Sequence, residues 1–378
     1  MPEQLDELKI GSWNSGRIRS KINILDEITN RLAIDVMALQ ETRLVERIKT
    51  KIPGYVIYRE DRTSRSGGTA IMVRGQIDHD LVPTPLGLVT MKATIVRIVM
   101  ANETLKIVSA YVRPHDPVLN EDLDLILDSD EPTIIIGDLN ARSPNWFDRR
   151  TNVNGRRLCA YLENKNNTIV TGPTDPTCFH GELPSHIDIA ILHNIGQQHE
   201  IQSVTEGDST HNVIVMTLGA VELNPLQPHQ IKKIKWPNFR RVVSENIGAI
   251  PIINNIEELE ESITKLEQTM LNAIDVSTKT ENKITQKGRF KEISNELKDL
   301  IKEKNRKRRR AQRTRNQEDK RIANELDREV NRRLNEHRSE HWDNFIQELN
   351  PNQSAFWKVS KILRKDKKTY TAPTRNKR

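Results

Sequence analysis

Ten short runs rich in Ile, Val and Thr, each closed by a turn or a polar residue, fill the first 218 residues: Leu8–Asn14, Val36–Gln40, Tyr55–Arg59, Thr69–Val73, Thr94–Val99, Leu105–Tyr111, Thr133–Ile136, Thr168–Val170, Ile187–Leu192 and Val213–Leu218. β-Branched residues suit a pleated, packed surface, so these runs predict strands. Several, Ile134-Ile135-Ile136 above all, are apolar at every position, which requires burial on both faces of a sheet. Two helical stretches interrupt them. Lys21–Leu32 gathers Ile24, Leu25 and Ile28 on one face, and Gly155–Glu163 spaces Leu158 and Leu162 by one turn. Ser66-Gly67-Gly68 and Pro83-Thr84-Pro85 read as turns. Strands alternating with a few helices predict two packed sheets with helices outside.

Beyond Gly219 the pattern changes. A proline-bearing stretch, Asn224–Pro237, precedes three amphipathic segments carrying Ile256, Leu259, Ile263, Leu266 and Met270, then Phe290, Ile293, Leu297 and Leu300, then Ile322, Leu326, Val330 and Leu334. Their three- and four-residue spacing predicts helices with narrow apolar stripes, the first too short for a dimeric coiled coil and expected to pack within the chain. A short helix around Phe356–Leu363 and a basic tail follow. The run Lys302–Arg315 holds nine basic residues and one acid. Residues 1–220 carry 23 Lys+Arg against 29 Asp+Glu, so the overall charge of +7 conceals an acidic front and a basic back. That asymmetry suits a catalytic unit followed by a part that meets a polyanion, although a basic run also solvates a helix face or serves as a nuclear-import signal. The expected organisation is a domain over 1–220, a linker over 221–250 and a basic helical extension over 251–378.

Nothing approaches the ~18 uninterrupted apolar residues of a membrane span, and MPEQLDELKI lacks the basic-then-apolar pattern of a signal peptide. With only Cys159 and Cys178 there is no cysteine metal cluster, and a reducing compartment is expected.

Polar residues at the ends of the apolar runs are the candidate chemistry. Asp138 and Asn140 follow Ile134–Gly137, a pattern that taken alone fits an Asx-turn as well as a catalytic pair. Asn14 and Glu41 end two other runs, Asp188 lies inside an apolar one, and His211 opens the last. An unpartnered carboxylate at Asp188 would be costly, and an Asp188–His211 pair would make an oriented imidazole. Asn14 and Glu41 offer the oxygen ligands that Mg²⁺ prefers. Arg142 and Trp146, after GDLNA, could meet nucleic acid, as could Arg113; Trp146 could equally pack as a local lid. Cys159 and Cys178 read as packing residues.

WNSG, LQETRL, SGGTAI, SAYVRP, GDLNARSPNW, DPT, SHIDIAI and STH occur in an order and spacing that resembles the endonuclease/exonuclease/phosphatase superfamily. More narrowly, the chain is similar to the apurinic-type endonuclease domain of jockey-like non-LTR retrotransposons. The resemblance runs over residues 8–218 and continues through the helical segment to FWKVSKILRK, with no Tyr-x-Asp-Asp polymerase motif in the sequence. It implies an α+β fold, a four-layer α/β sandwich of two packed mixed β-sheets flanked by helices, with an all-α basic C-terminal extension. It also implies roles: Asn14 and Glu41 at the metal, Tyr111 on the scissile phosphate, Asp138 at the attacking water or leaving oxygen, Asn140 on phosphate oxygens, Asp188 orienting His211, and Thr177 near the phosphate-binding loops.

The implied activity is a Mg²⁺-dependent endonuclease, with Mn²⁺ as a substitute, nicking double-stranded DNA in the nucleus after cytoplasmic synthesis. RNA is a second candidate partner for the basic helices. One position departs from the pattern: Ser209-Thr210-His211 replaces the family's Ser-Asp-His, with Asp208 two residues earlier. That departure makes a catalytically impaired nucleic-acid-binding remnant the alternative expectation. Abasic-site repair is a neighbouring reading of the endonuclease, and hydrolysis of inositol phosphates or sphingolipids a more distant alternative.

Overall fold

The computed structural model describes residues 7–348 and 357, apart from 49, 62–66, 181–182, 220, 224–228, 249–252, 254 and 284–292. Fourteen strands and seven α-helices are assigned among them. The first sheet is built from β1 (Glu7–Asn14), β2 (Val36–Gln40), β3 (Tyr55–Glu60), β4 (Thr69–Arg74), β11 (His199–Val204) and β12 (Val213–Gly219). Its order is β11-β12-β1-β2-β4-β3. The second contains β5 (His79–Val82), β6 (Lys92–Val99), β7 (Thr104–Tyr111), β8 (Thr133–Asp138), β9 (Thr168–Thr171) and β10 (Asp188–His193), in the order β5-β6-β7-β8-β10-β9.

Both sheets share one plan. A central parallel pair, β1–β2 or β7–β8, is flanked by antiparallel neighbours. Each parallel pair needs a crossover, supplied by α1 (Ile22–Arg31) and by α2 (Asn120–Ile126). The sequence shows no repeat, yet the topology contains one.

The continuous apolar runs are explained by three hydrophobic layers. Ile134 and Ile136 of β8 meet Val36 and Ala38 of β2 between the sheets. Ile135 faces outward under Leu123 and Ile126 of α2 and Leu158 of α3 (Val153–Glu163). Met37 and Leu39 face outward under Ile24, Leu25 and Ile28 of α1. Helix, sheet, sheet and helix thus form the four expected layers.

The remainder of the chain holds α4 (Trp236–Asn246), α5 (Ile256–Ser277), α6 (Asn295–Thr314) and α7 (Gln317–Glu348), with β13 (His229–Ile234) paired to β14 (Thr278–Lys283). The stretch 221–250 therefore contains a strand and a helix, which its prolines did not suggest. Helices α6 and α7 pack on the outer side of α1, adding Ile293, Leu297, Ile301, Val330 and Leu334 to the layer beneath. The α5 stripe differs from expectation. Ile256 is 74% and Ile263 54% exposed, so that face is not covered by any described part of the chain. Phe290 and the helix expected around Phe356–Leu363 lie outside the described residues, Trp357 excepted.

Candidate active site

The two parallel pairs end at the same edge of the sandwich, which is where the polar residues converge. Asn14 closes β1, Glu41 follows β2, Tyr111 closes β7 and Asp138 closes β8. Asp188 enters β10 directly across from Asp138, and His211 lies two residues ahead of β12. The distances confirm the convergence. Asn14 Nδ2 donates to Asp138 Oδ2 at 2.8 Å, and the Tyr111 hydroxyl donates to Glu41 Oε1 at 2.5 Å. His211 Nδ1 lies 3.1 and 2.9 Å from the two Asp188 oxygens, while its Nε2 is 3.9 Å from Asp138 Oδ2. The Asn140 N–H closes an Asx-turn onto Asp138 Oδ1 at 3.1 Å, and its side-chain amide donates to the Val112 carbonyl at 2.8 Å. The Asx-turn expected at Asp138 is present, and it holds the carboxylate where the other polar residues converge.

Backbone geometry is specialised here. Glu41 and Asn140 have φ of +48° and +47°, a region that Asn tolerates and Glu seldom occupies. Gly137 has φ +155°, and a Cβ there would stand 2.0 Å from the Ala110 carbonyl oxygen and 3.0 Å from Gln40 Nε2. Gln40 cannot yield easily, because it bridges the sheets by donating to Ser109 Oγ at 3.1 Å. Gly137→Ala should therefore separate β7 from β8 just behind Asp138. The expected cost is about 3 kcal/mol or more, read as a drop of roughly 6–12 °C in thermal melting. A melting point within 2 °C of the parent would show that the close approach is not restrictive.

Burial sets the electrostatics. Asp138 is 2% exposed, and its pKa is pushed up to about 7 by burial first and then by the nearby Asp188, against the opposing His211 and the Asn14 hydrogen bond. Burial alone would lower His211. The Asp188 charge and hydrogen bond, with the Cys178 thiol and Asp138, outweigh it and hold the imidazole well above its ordinary value. Burial and the bond to Glu41 raise Tyr111, keeping the phenol a neutral donor. Glu41, Asp138 and Asn14 carry oxygen donors of the kind a hard divalent cation takes; the Glu41 oxygens are engaged by Tyr111 and Arg43, and the Asn14 oxygen by the Gly16 N–H. Asp138, Asp188 and His211 also bring ligand atoms within 4.8 Å of one another. Since Asp188 is engaged with His211 Nδ1, that trio is better understood as an oriented imidazole than as a ligand set.

Other expected contacts are redistributed. Trp146 is fully buried, its indole N–H donating to the Ala141 carbonyl at 3.1 Å, so it is a packing residue and cannot stack on a base. Its neighbour Phe147, at φ +70°, is 53% exposed. Thr177 is buried too; its hydroxyl accepts from the N–H groups of Ile187 and Asp188 at 3.3 and 3.2 Å, so it fixes the start of β10 and does not touch nucleic acid. Arg113 and Arg142 are half-buried, and the Arg113 charge acts on Tyr111. Cys178, taken as packing, stands with its thiol 3.5 Å from His211 Nε2. Nothing local in the sequence signals that contact, which arises because the Cys178 backbone bridges both Ser185 and His211. Thr210 is exposed, and Asp208 is paired with Lys21 at 2.9 Å, so Asp208 does not stand in for the missing carboxylate.

Several known proteins resemble this chain. The chain is 24% identical over 283 residues to the probable RNA-directed DNA polymerase from transposon X-element of Drosophila melanogaster, covering 72% of this chain and 31% of that protein. It is likewise 24% identical over 281 residues to the RNA-directed DNA polymerase from mobile element jockey of the same organism, covering 72% of this chain and 29% of the relative. The chain thus spans under a third of the curated relatives it matches. Among solved structures, the endonuclease domain of TRAS1, a telomere-specific non-LTR retrotransposon, aligns with TM-score 0.46 and 18% identity over 57% of this chain and 99% of that one. Residues 105–215 match the sequence profile described as endonuclease-reverse transcriptase. The segment that carries Tyr111, Asp138, Asn140, Asp188 and His211 is therefore the part of the chain that resembles the endonuclease-reverse transcriptase family.

Proposed function

We propose that this protein is a divalent-metal-dependent DNA endonuclease that nicks one strand of a duplex by phosphodiester hydrolysis, as a step in non-LTR retrotransposition in the nucleus. The observation that carries the reading is the buried Asp138 carboxylate, 3.9 Å from an imidazole that Asp188 holds charged. Asn14 and Glu41 would hold Mg²⁺, or Mn²⁺ in its place, and a bound cation there supplies charge to the phosphate oxygens and lowers the pKa of water. Tyr111 and Arg43 position Glu41 from its two oxygens, at 2.5 and 2.8 Å. Asp138 accepts the proton of the attacking water. His211 donates from Nε2 to the phosphate as charge builds up on it. Attack at phosphorus breaks the bond to the 3′ oxygen, which takes up the proton that Asp138 gained from the water, giving a 5′-phosphate and a 3′-hydroxyl. Asn140, anchored on Val112, and Arg113 and Arg142 at the rim would steady the backbone.

Purified protein is expected to relax supercoiled plasmid in Mg²⁺ and to be silent in chelator, with the nicked product extendable by a polymerase. Failure to nick at any Mg²⁺ or Mn²⁺ concentration would remove the proposal. Thr210 favours a second reading, a nucleic-acid-binding protein impaired in catalysis. That reading expects calorimetric titration to find no Mg²⁺ binding while salt-sensitive DNA binding persists. Under it, Thr210→Asp should restore both metal binding and nicking.

A further inference from the structure

A groove of about 600 Å³ opens between the catalytic domain and the junction of α6 with α7. Its domain wall includes Phe179 and Thr210, and its helical wall Gln312, Arg315, Asn316 and Lys320. Thr210 precedes His211 directly, so at about 3.8 Å between successive Cα atoms the groove wall begins one residue along the backbone from the imidazole-bearing residue. A duplex strand rises about 3.4 Å per nucleotide, which places the groove within a few nucleotides of the reacting phosphate.

The charges inside it are uneven. Lys307 and Arg310, on the same helix, are answered by Asp319 at 3.7 and 2.9 Å. Arg315 and Lys320 are exposed and meet no described carboxylate within 4 Å. The acid in the groove, Asp208, is already neutralised by Lys21. Arg315 ends α6 at φ +56°, and this turn is what brings it and Lys320 to one rim. Two uncompensated cations, the side-chain amide of Asn316 and the ring of Phe179 are the chemistry that recognises a phosphodiester backbone and its sugars.

We infer that this groove seats the duplex backbone flanking the scissile phosphate, so that the α6–α7 hairpin is the second wall of the substrate cleft. The inference rests on the endonuclease reading and gives the helical extension a DNA partner next to the site.

The test uses the full chain and a labelled 30-base-pair duplex, with binding measured in chelator across a salt series and nicking measured separately in Mg²⁺. Arg315→Glu/Lys320→Glu should raise Kd about tenfold and reduce the slope of log Kd against log salt by about 2, at roughly 0.9 per lost phosphate contact. Its kcat/KM for nicking should fall by a similar factor. Arg240→Glu/Lys265→Glu makes the same change of net charge on α4 and α5, which do not line the groove, and should leave Kd within twofold. Equal effects of the two pairs, or none from the first, would overturn the inference. So would a larger effect of the first pair on single-stranded RNA of equal length than on duplex DNA. A protein that never nicks yet shows the expected Kd shift would refute the endonuclease reading and leave the groove as a DNA site.

Discussion

His211→Ala should reduce single-turnover nicking on the order of 10³-fold while leaving Kd for DNA within about threefold. The asymmetry follows from where the energy lies. Affinity for a duplex comes mostly from phosphates met along the whole surface, whereas His211 acts on the one phosphate whose charge grows during reaction. His211 is 9% exposed and fixed at both ends, by Asp188 on Nδ1 and by Trp13, whose indole N–H donates to its carbonyl at 3.2 Å. Asp188→Asn should be nearly as damaging, and it should also change the pH profile in a defined direction. Asp188 is the strongest influence raising His211, so without it the imidazole loses its proton at lower pH, and the alkaline limb of the rate profile moves toward acid. A His211→Ala protein that nicks within threefold of the parent would end the assignment of chemistry to this cluster. An Asp188→Asn profile that is merely lower, with both limbs in place, would make Asp188 a structural residue only.

Much of that cluster is legible in the sequence because each member ends or interrupts a run of buried apolar residues, where a polar group needs a reason to be present. The same logic failed where the hydrophobic signal is weak. The edge strands β5 and β11, with sequences HDLV and HEIQSV, are covered on one side only and were not anticipated. It also failed in choosing between adjacent aromatics. The short 3₁₀ turn Pro144–Trp146 sends Trp146 inward and Phe147 outward, a choice made by backbone dihedrals that composition does not encode. The basic run has a second role that its composition hides. Leu297, Ile301, Lys304, Arg308 and Gln312 form one stripe along α6 that faces the domain, apolar at first and then charged. Periodicity in hydrophobicity stops at Ile301, but the buried face continues. Lys304 and Arg308, two of the nine basic residues in that run, thus serve to dock α6.

Arg308→Ala should consequently cost about 3 kcal/mol of stability and reduce turnover as well. Arg308 donates to the carbonyls of Gly207 and Ser209 at 2.8 and 3.3 Å and forms an ion pair with Asp327, which burial pushes up in pKa against the pull of Arg308 and Lys304. The loop it grips leads straight to His211. The same loop is held by Asn305 on Glu206 at 2.8 Å, by Arg31 on Glu206 at 2.7 Å and by Gln312 on Asn212 at 2.9 Å. Removing one partner of a buried pair strands the other, at a cost of about 3–5 kcal/mol, and here two carbonyls also lose a donor. The low end is expected because Lys304 remains 3.8 Å from Asp327 and can partly take over. Arg308→Met with Asp327→Leu should recover most of the melting temperature, since the isolated carboxylate is then gone. It should not recover kcat, because Gly207 and Ser209 still lack their donor and the loop carrying His211 stays loose. Full recovery of both quantities in the double variant would mean that Arg308 serves only to neutralise Asp327. A single variant that melts within 2 °C of the parent and nicks at its rate would mean that α6 rests on the domain without bracing it.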